Sequence, residues 1–174
     1  MDRRDFLKKG TAAAGLAASS RVLQPLAAAG TPAAFPNRAL GKTGEHLSII
    51  GFGGIVVTDT AQSVANDLVA EAFDRGINYF DVAPTYGNAQ ERLGPALEPY
   101  RQRVFLACKT TKRDRAGAKA ELDESLKLLR TDHLDLYQLH ALTKMEDLET
   151  ALGPNGAMET YVKARQEGKV RFIG

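Results

Sequence analysis

The stretch Gly76 to Gly87, reading GINYFDVAPTYG, decides how the rest of the chain is read. Ile, Tyr, Phe and Val mark a short buried strand, and the strand stops at Asp81, a carboxylate that an apolar strand end does not hold without a partner. Beyond it, Ala-Pro-Thr-Tyr-Gly is loop chemistry, with Pro84 and Gly87 as breakers and Tyr86 five positions past the acid. An acid and a phenol therefore share one strand-to-helix loop.

Two further apolar runs end in the same way. Val104 to Ala107 leads into Lys109, and Leu134 to Leu139, with its LDLYQL pattern, leads into His140. An earlier run, SIIGFG, ends at Gly53. Gly53 to Asp81 is 28 positions, Asp81 to Lys109 is 28, and Lys109 to His140 is 31. Intervals close to the ~30 residues of one strand-helix-strand unit predict parallel strands with their C-terminal ends on one face. Asp81, Tyr86, Lys109 and His140 then converge there, on the face that carries the active site in parallel α/β folds.

The first 30 residues do not share this pattern. Paired arginines at Arg3 and Arg4, a small-residue run from Gly10 to Ser20 and an A-x-A site at Ala27 to Ala29 read as a twin-arginine export signal. The run is far shorter than the ~18 apolar residues of a spanning helix, so no stable membrane span is expected. The expected partner is the twin-arginine machinery and the expected location the periplasm. The leader holds five of the 23 Lys and Arg and two of the 21 Asp and Glu, so the remainder carries a net charge of about −1 and nothing points to nucleic acid. Cys108, the single cysteine, lies in a strand and reads as an inert buried thiol.

Residues 31–47 read as a linker and a small hairpin turning at Gly41 to Gly44. The first barrel strand is expected over Ser48 to Gly54, where Gly53 and Gly54 either let a ligand approach the backbone or simply turn tightly. Helices are expected over 61–75, 88–98, 118–130 and 157–166, the first with an apolar stripe of Val64, Leu68, Ala72 and Phe73. A fifth strand starts at Val170. Inward faces of the strands are expected to include Ile49, Phe80, Phe105 and Leu136 or their neighbours. Because a closed eight-stranded (β/α) barrel takes ~250 residues, residues 48–174 are expected to form about its first half, strands one to five. A complete five-stranded doubly wound domain is the other arrangement open to this length.

GFGG at 51–54, FDVAPTYG at 80–87, ERLG at 91–94, CKT at 108–110, LDLYQLH at 134–140 and GKVRFIG at 168–174, in this order and spacing, resemble the aldo-keto reductase family. The likeness covers residues 38–174. It implies a (β/α)8 TIM barrel, NADP(H) as cofactor and a small-molecule aldehyde or ketone as substrate. The family tetrad falls on Asp81, Tyr86, Lys109 and His140, and nicotinamide contacts fall on Gly53, Gly54 and Asp81. The Ser-Asn or similar pair expected after the fifth-strand glycine, and the later segments that hold the adenosine phosphate, would follow Gly174.

The residue types fit that chemistry independently. Hydride arriving at a carbonyl carbon leaves an alkoxide that needs a proton donor and nearby positive charge. Tyr86 is the candidate donor, Lys109 the cation beside it, Asp81 the carboxylate that keeps the ammonium charged, and His140 the group that orients the carbonyl or shares the proton. No metal is expected, since hydride transfer from nicotinamide needs none. His46 and His133 lie in turn regions away from the strand ends. Two other functions are compatible with the same residues: a nicotinamide-binding sensor barrel, or an inactive fragment.

Overall fold

The computed structural model describes residues 34–174; the expected leader lies outside the described residues. The chain enters through an antiparallel hairpin, β1 (Asn37–Ala39) and β2 (His46–Ser48), with the expected turn between them. Five parallel strands follow: β3 (Phe52–Gly53), β4 (Tyr79–Asp81), β5 (Phe105–Thr110), β6 (Leu134–Leu139) and β7 (Val170–Ile173). Their order in the sheet is their order in the sequence. A doubly wound sheet reverses its strand order at a switch point, so the sequential order excludes that arrangement and makes this about the first half of a (β/α)8 barrel.

The crossovers are α1 (Gln62–Asp74), α2 (Ala89–Leu97), α3 (Arg115–Leu128) and the pair α4 (Met145–Leu152) and α5 (Ala157–Gln166). They cover one face of the sheet, where Val69, Phe80, Leu93, Leu97, Leu106, Leu122, Tyr137 and Tyr161 are fully buried or nearly so. Strands hidden on this side explain the apolar runs read from the sequence. Gly76, at φ 85°, ends α1 in the left-handed conformation and turns the chain toward β4.

Several expectations are corrected. The strand expected over 48–54 is reduced to Phe52–Gly53. Ser48 belongs to the hairpin and accepts the Asn78 N–H at its hydroxyl, Ile49 and Ile50 are exposed, and Gly51 lies under the Tyr79 ring, where a Cβ would meet carbon at 2.6 Å. Phe80 faces the helices, packed 5.2 Å from Phe52, rather than the barrel interior. Its neighbour Tyr79 takes the inner face with Phe105 and Phe172, whose rings follow one another at 5.9 and 6.1 Å. The buried stripe of α1 is Ala65, Val69 and Ala72; of the expected stripe, Ala72 is buried, Leu68 and Phe73 pack half-buried against the core, and Val64 is exposed. α3 starts at Arg115 because the Asp114 carboxylate caps it, accepting the Gly117 N–H at 2.8 Å. α4 has no counterpart in the sequence reading.

At the N-terminal end of the strands, the buried Asp135 carboxylate accepts from the Leu106 N–H and pairs with Arg101 and Arg171. Arg171 also reaches Glu45 in the hairpin, which fastens β1 and β2 to this end. Among the described residues no helix is long and apolar enough to cross a membrane.

Candidate active site

The parallel register sets Asp81 between Gly53 of β3 and Ala107 of β5. Lys109 lies two residues beyond Ala107, hence on the same face, and its ammonium pairs with the Asp81 carboxylate. The Val82 carbonyl is a second acceptor at 3.4 Å. With side chains 13% and 24% exposed, the pair is largely withdrawn from water. Tyr79 Oη lies 3.5 Å from the other Asp81 oxygen, and burial, reinforced by that carboxylate, raises the Tyr79 phenol above its ordinary range.

Tyr86 follows on the loop after β4. Lys109 Nζ is 5.4 Å from its ring centroid, and the His140 ring meets it edge-on at 5.9 Å and 82°. The four side chains singled out in the sequence therefore gather at the C-terminal ends of β4, β5 and β6.

The loops that carry them are tied down. Thr58 Oγ1 donates to the Tyr86 carbonyl at 3.0 Å, and Asn88 Oδ1 accepts the Asp59 N–H at 2.8 Å. Gly87, at φ 55°, packs so closely on Thr58 that a Cβ would lie 3.0 Å from its methyl group. The His140 N–H donates to the Thr110 carbonyl at 2.9 Å, and the next residue, Ala141, sits at φ 53°. Arg113 donates to the His140 carbonyl at 2.6 Å. Sequence reasoning missed Thr58 and Arg113, because both act on backbone carbonyls and neither lies in a periodic pattern.

Gly53 and Gly54 turn out to differ. A Cβ on Gly54 would come within 3.0 Å of Val82 and 3.1 Å of the Asp81 carbonyl, so this glycine lets β3 pack against β4. Gly53 meets nothing nearer than Ile55 at 4.0 Å. Its open side, level with Asp81 in the ladder, leaves space for a flat ring beside the ion pair, so the residues present fit a nicotinamide there.

The remaining candidates stand apart. Cys108 points to the helix side, accepts from Gln90 Nε2 at 3.3 Å and has its thiol pushed up to about 11 by burial. His46 lies exposed on the hairpin, and His133, 2.6 Å from Asp132, precedes β6 at the other end of the strands. Among the described residues no group of three or more His, Cys, Asp or Glu is placed to hold a metal ion.

The sequence profile of the aldo/keto reductase family matches residues 49–174. The chain belongs to the aldo/keto reductase family. Its relatives include L-galactose dehydrogenase of Arabidopsis thaliana, 36% identical over 79% of this chain and 47% of that one, and aldo-keto reductase YhdN of Bacillus subtilis, 31% identical over 78% and 45%. Among solved structures, a putative aldo-keto reductase from Pseudomonas aeruginosa superposes with a TM-score of 0.74 at 28% identity, over 84% of this chain and 62% of that one. An aldo-keto reductase from Bacillus halodurans in its holo form gives 0.67 at 31% identity, over 80% and 49%. This family member spans about half the length of the curated relatives it matches.

Proposed function

We propose that the intact protein is an NADP(H)-dependent oxidoreductase that reduces an aldehyde or ketone to an alcohol. The observation that carries this reading is the meeting of a shielded Asp81–Lys109 pair with Tyr86 and His140 at one end of the sheet. Gly53 and Asp81 would hold the nicotinamide of the cofactor, which when bound would supply the hydride. Tyr86 donates its proton to the carbonyl oxygen as that oxygen gains negative charge, and is left as a phenolate next to the Lys109 ammonium. Asp81 offsets the cost of keeping that ammonium charged away from water. His140, edge-on to Tyr86, holds the carbonyl oxygen toward the phenol. Gly53 and Asp81 line the ring's place, while Gly54 acts through packing.

The test is NADPH oxidation by the intact protein with a panel of aldehydes and ketones, run beside Tyr86→Phe. Turnover in the parent that is lost in the variant supports the assignment; equal turnover in both removes Tyr86 from it. We also propose that residues 1–30 address the protein to the twin-arginine machinery and the periplasm. Arg3→Lys with Arg4→Lys should leave uncleaved precursor in the cytoplasm, and normal appearance outside it would argue for another route.

A further inference from the structure

We infer that Arg113 is the positioning residue for His140, acting through a guanidinium fork that gathers three backbone carbonyls at the rim of the site. The inference rests on the role given above to His140. Arg113 Nη2 donates to the carbonyls of His140 at 2.6 Å and Ala141 at 3.3 Å, and Nη1 to that of Thr110 at 3.4 Å. Nε faces the Asp147 carboxylate at 3.5 Å. One side chain thus joins the end of β5, the end of β6 and the first turn of α4. The Arg113 side chain is only 14% exposed, so these contacts form where water competes poorly.

The need for such a tie is local. Ala141 holds a left-handed backbone at φ 53°, which an alanine adopts only where the surroundings impose it. The His140 carbonyl and the Ala141 carbonyl point to one guanidinium group, so the fork fixes the peptide on each side of Ala141 and with it the direction in which the His140 ring leaves the chain. Its base is fixed as well: the Arg113 carbonyl accepts the Ala157 N–H at 2.8 Å, and Asp114 forms a bridge with Gly156. A planar fork with five donors can serve three carbonyls and a carboxylate together, and an ammonium cannot.

Arg113→Lys and Asp147→Asn, each in the intact protein, test this through two readouts: the NMR signals of the His140 ring, assigned by their disappearance in His140→Gln, and the rate of carbonyl reduction. Arg113→Lys should shift or broaden the His140 signals and lower kcat by roughly 10-fold or more, as displaced catalytic geometry does, with NADPH affinity unchanged. Asp147→Asn, whose carboxylate is 38% exposed, should shift the same signals by less; it decides the matter if Arg113→Lys fails to fold. His140 signals identical to the parent's in the folded variants would overturn the inference. Full turnover by His140→Gln would instead remove the role of His140, while its ring signals still report whether Arg113 positions it.

Discussion

Lys109 reaches back along the β4–β5 ladder to Asp81, so that the ion pair joins neighbouring strands at the end where Tyr86 and His140 also lie. A pair this far out of water differs from a surface salt bridge: removing one member strands the other in a poor dielectric. A double-mutant cycle with Asp81→Asn and Lys109→Met, read by urea denaturation of the intact protein, should give a coupling energy of about 1–3 kcal/mol. Independent effects that add to within experimental error would mean that the two side chains do not support each other.

Tyr86→Phe removes the proposed proton donor and leaves the ring where it is. Because its loop is held by the Thr58 hydroxyl, which donates to the Tyr86 carbonyl, and by the Asn88 side chain, which accepts the Asp59 N–H, the fold around it should persist. The variant should lose about 10²-fold or more in kcat for carbonyl reduction with little change in NADPH affinity, the pattern of a group that acts only as the bond forms. A proportionate loss of cofactor affinity would show that the hydroxyl serves binding instead.

Alkaline pH should loosen the fold through groups buried on the helix side of the sheet. Burial raises Cys108 from 9.0 to about 11, and also places the phenols of Tyr137 and Tyr161 above their ordinary range. A raised acid holds its proton in the folded state after the unfolded chain has released it, so its stabilisation is full below pH 9 and is lost as the pH climbs toward 11. Stability should therefore fall across that window by on the order of 1 kcal/mol per pH unit, and Cys108→Ala should flatten the decline. Urea midpoints measured from pH 8 upward check this. A Cys108 that reacts with a thiol reagent at pH 8 as fast in the native as in the urea-unfolded protein would contradict the burial.

Much of this was legible in the sequence because burial and chemistry coincide at strand ends. Asp81, Lys109 and His140 each follow an apolar run, and their near-constant spacing reports the parallel order directly. Helix α5 was read with its observed bounds, whereas the stripe of α1 was read with Leu68, Ala72 and Phe73 in place but with the exposed Val64 instead of the buried Ala65 and Val69. Ala65 weighs less in a hydropathy reading than the larger Val64 beside it, which the structure leaves exposed. α4 was missed although it carries Met145, Leu148, Ala151 and Leu152; of these only Ala151 is buried, and Met145 and Leu152 lie exposed, so the short segment contributes little to the core that the apolar runs report. Arg113 and Thr58 could not have been found from their own residue type, since their partners are carbonyls that every residue possesses. The two glycines at the first strand looked alike for the opposite reason: a missing side chain says nothing about what would have occupied its place.

That difference gives the last prediction. Gly53 has φ −77° and ψ 111°, an extended conformation open to any residue, and its missing Cβ faces free space beside Asp81. Gly53→Ala should therefore fold with unchanged stability and weaken NADPH binding, since the methyl group enters the space left for the ring. Gly54→Ala should do the reverse. Its Cβ would press on Val82 and on the Asp81 carbonyl, backbone of the neighbouring strand β4 that cannot swing aside, and overpacking of this kind costs about 1–3 kcal/mol. Urea denaturation and cofactor fluorescence titration of both variants separate the two roles. Equal loss of stability in both would show that the β3 glycines serve packing alone, and a Gly53→Ala protein that binds NADPH as tightly as the parent would move the nicotinamide away from this strand.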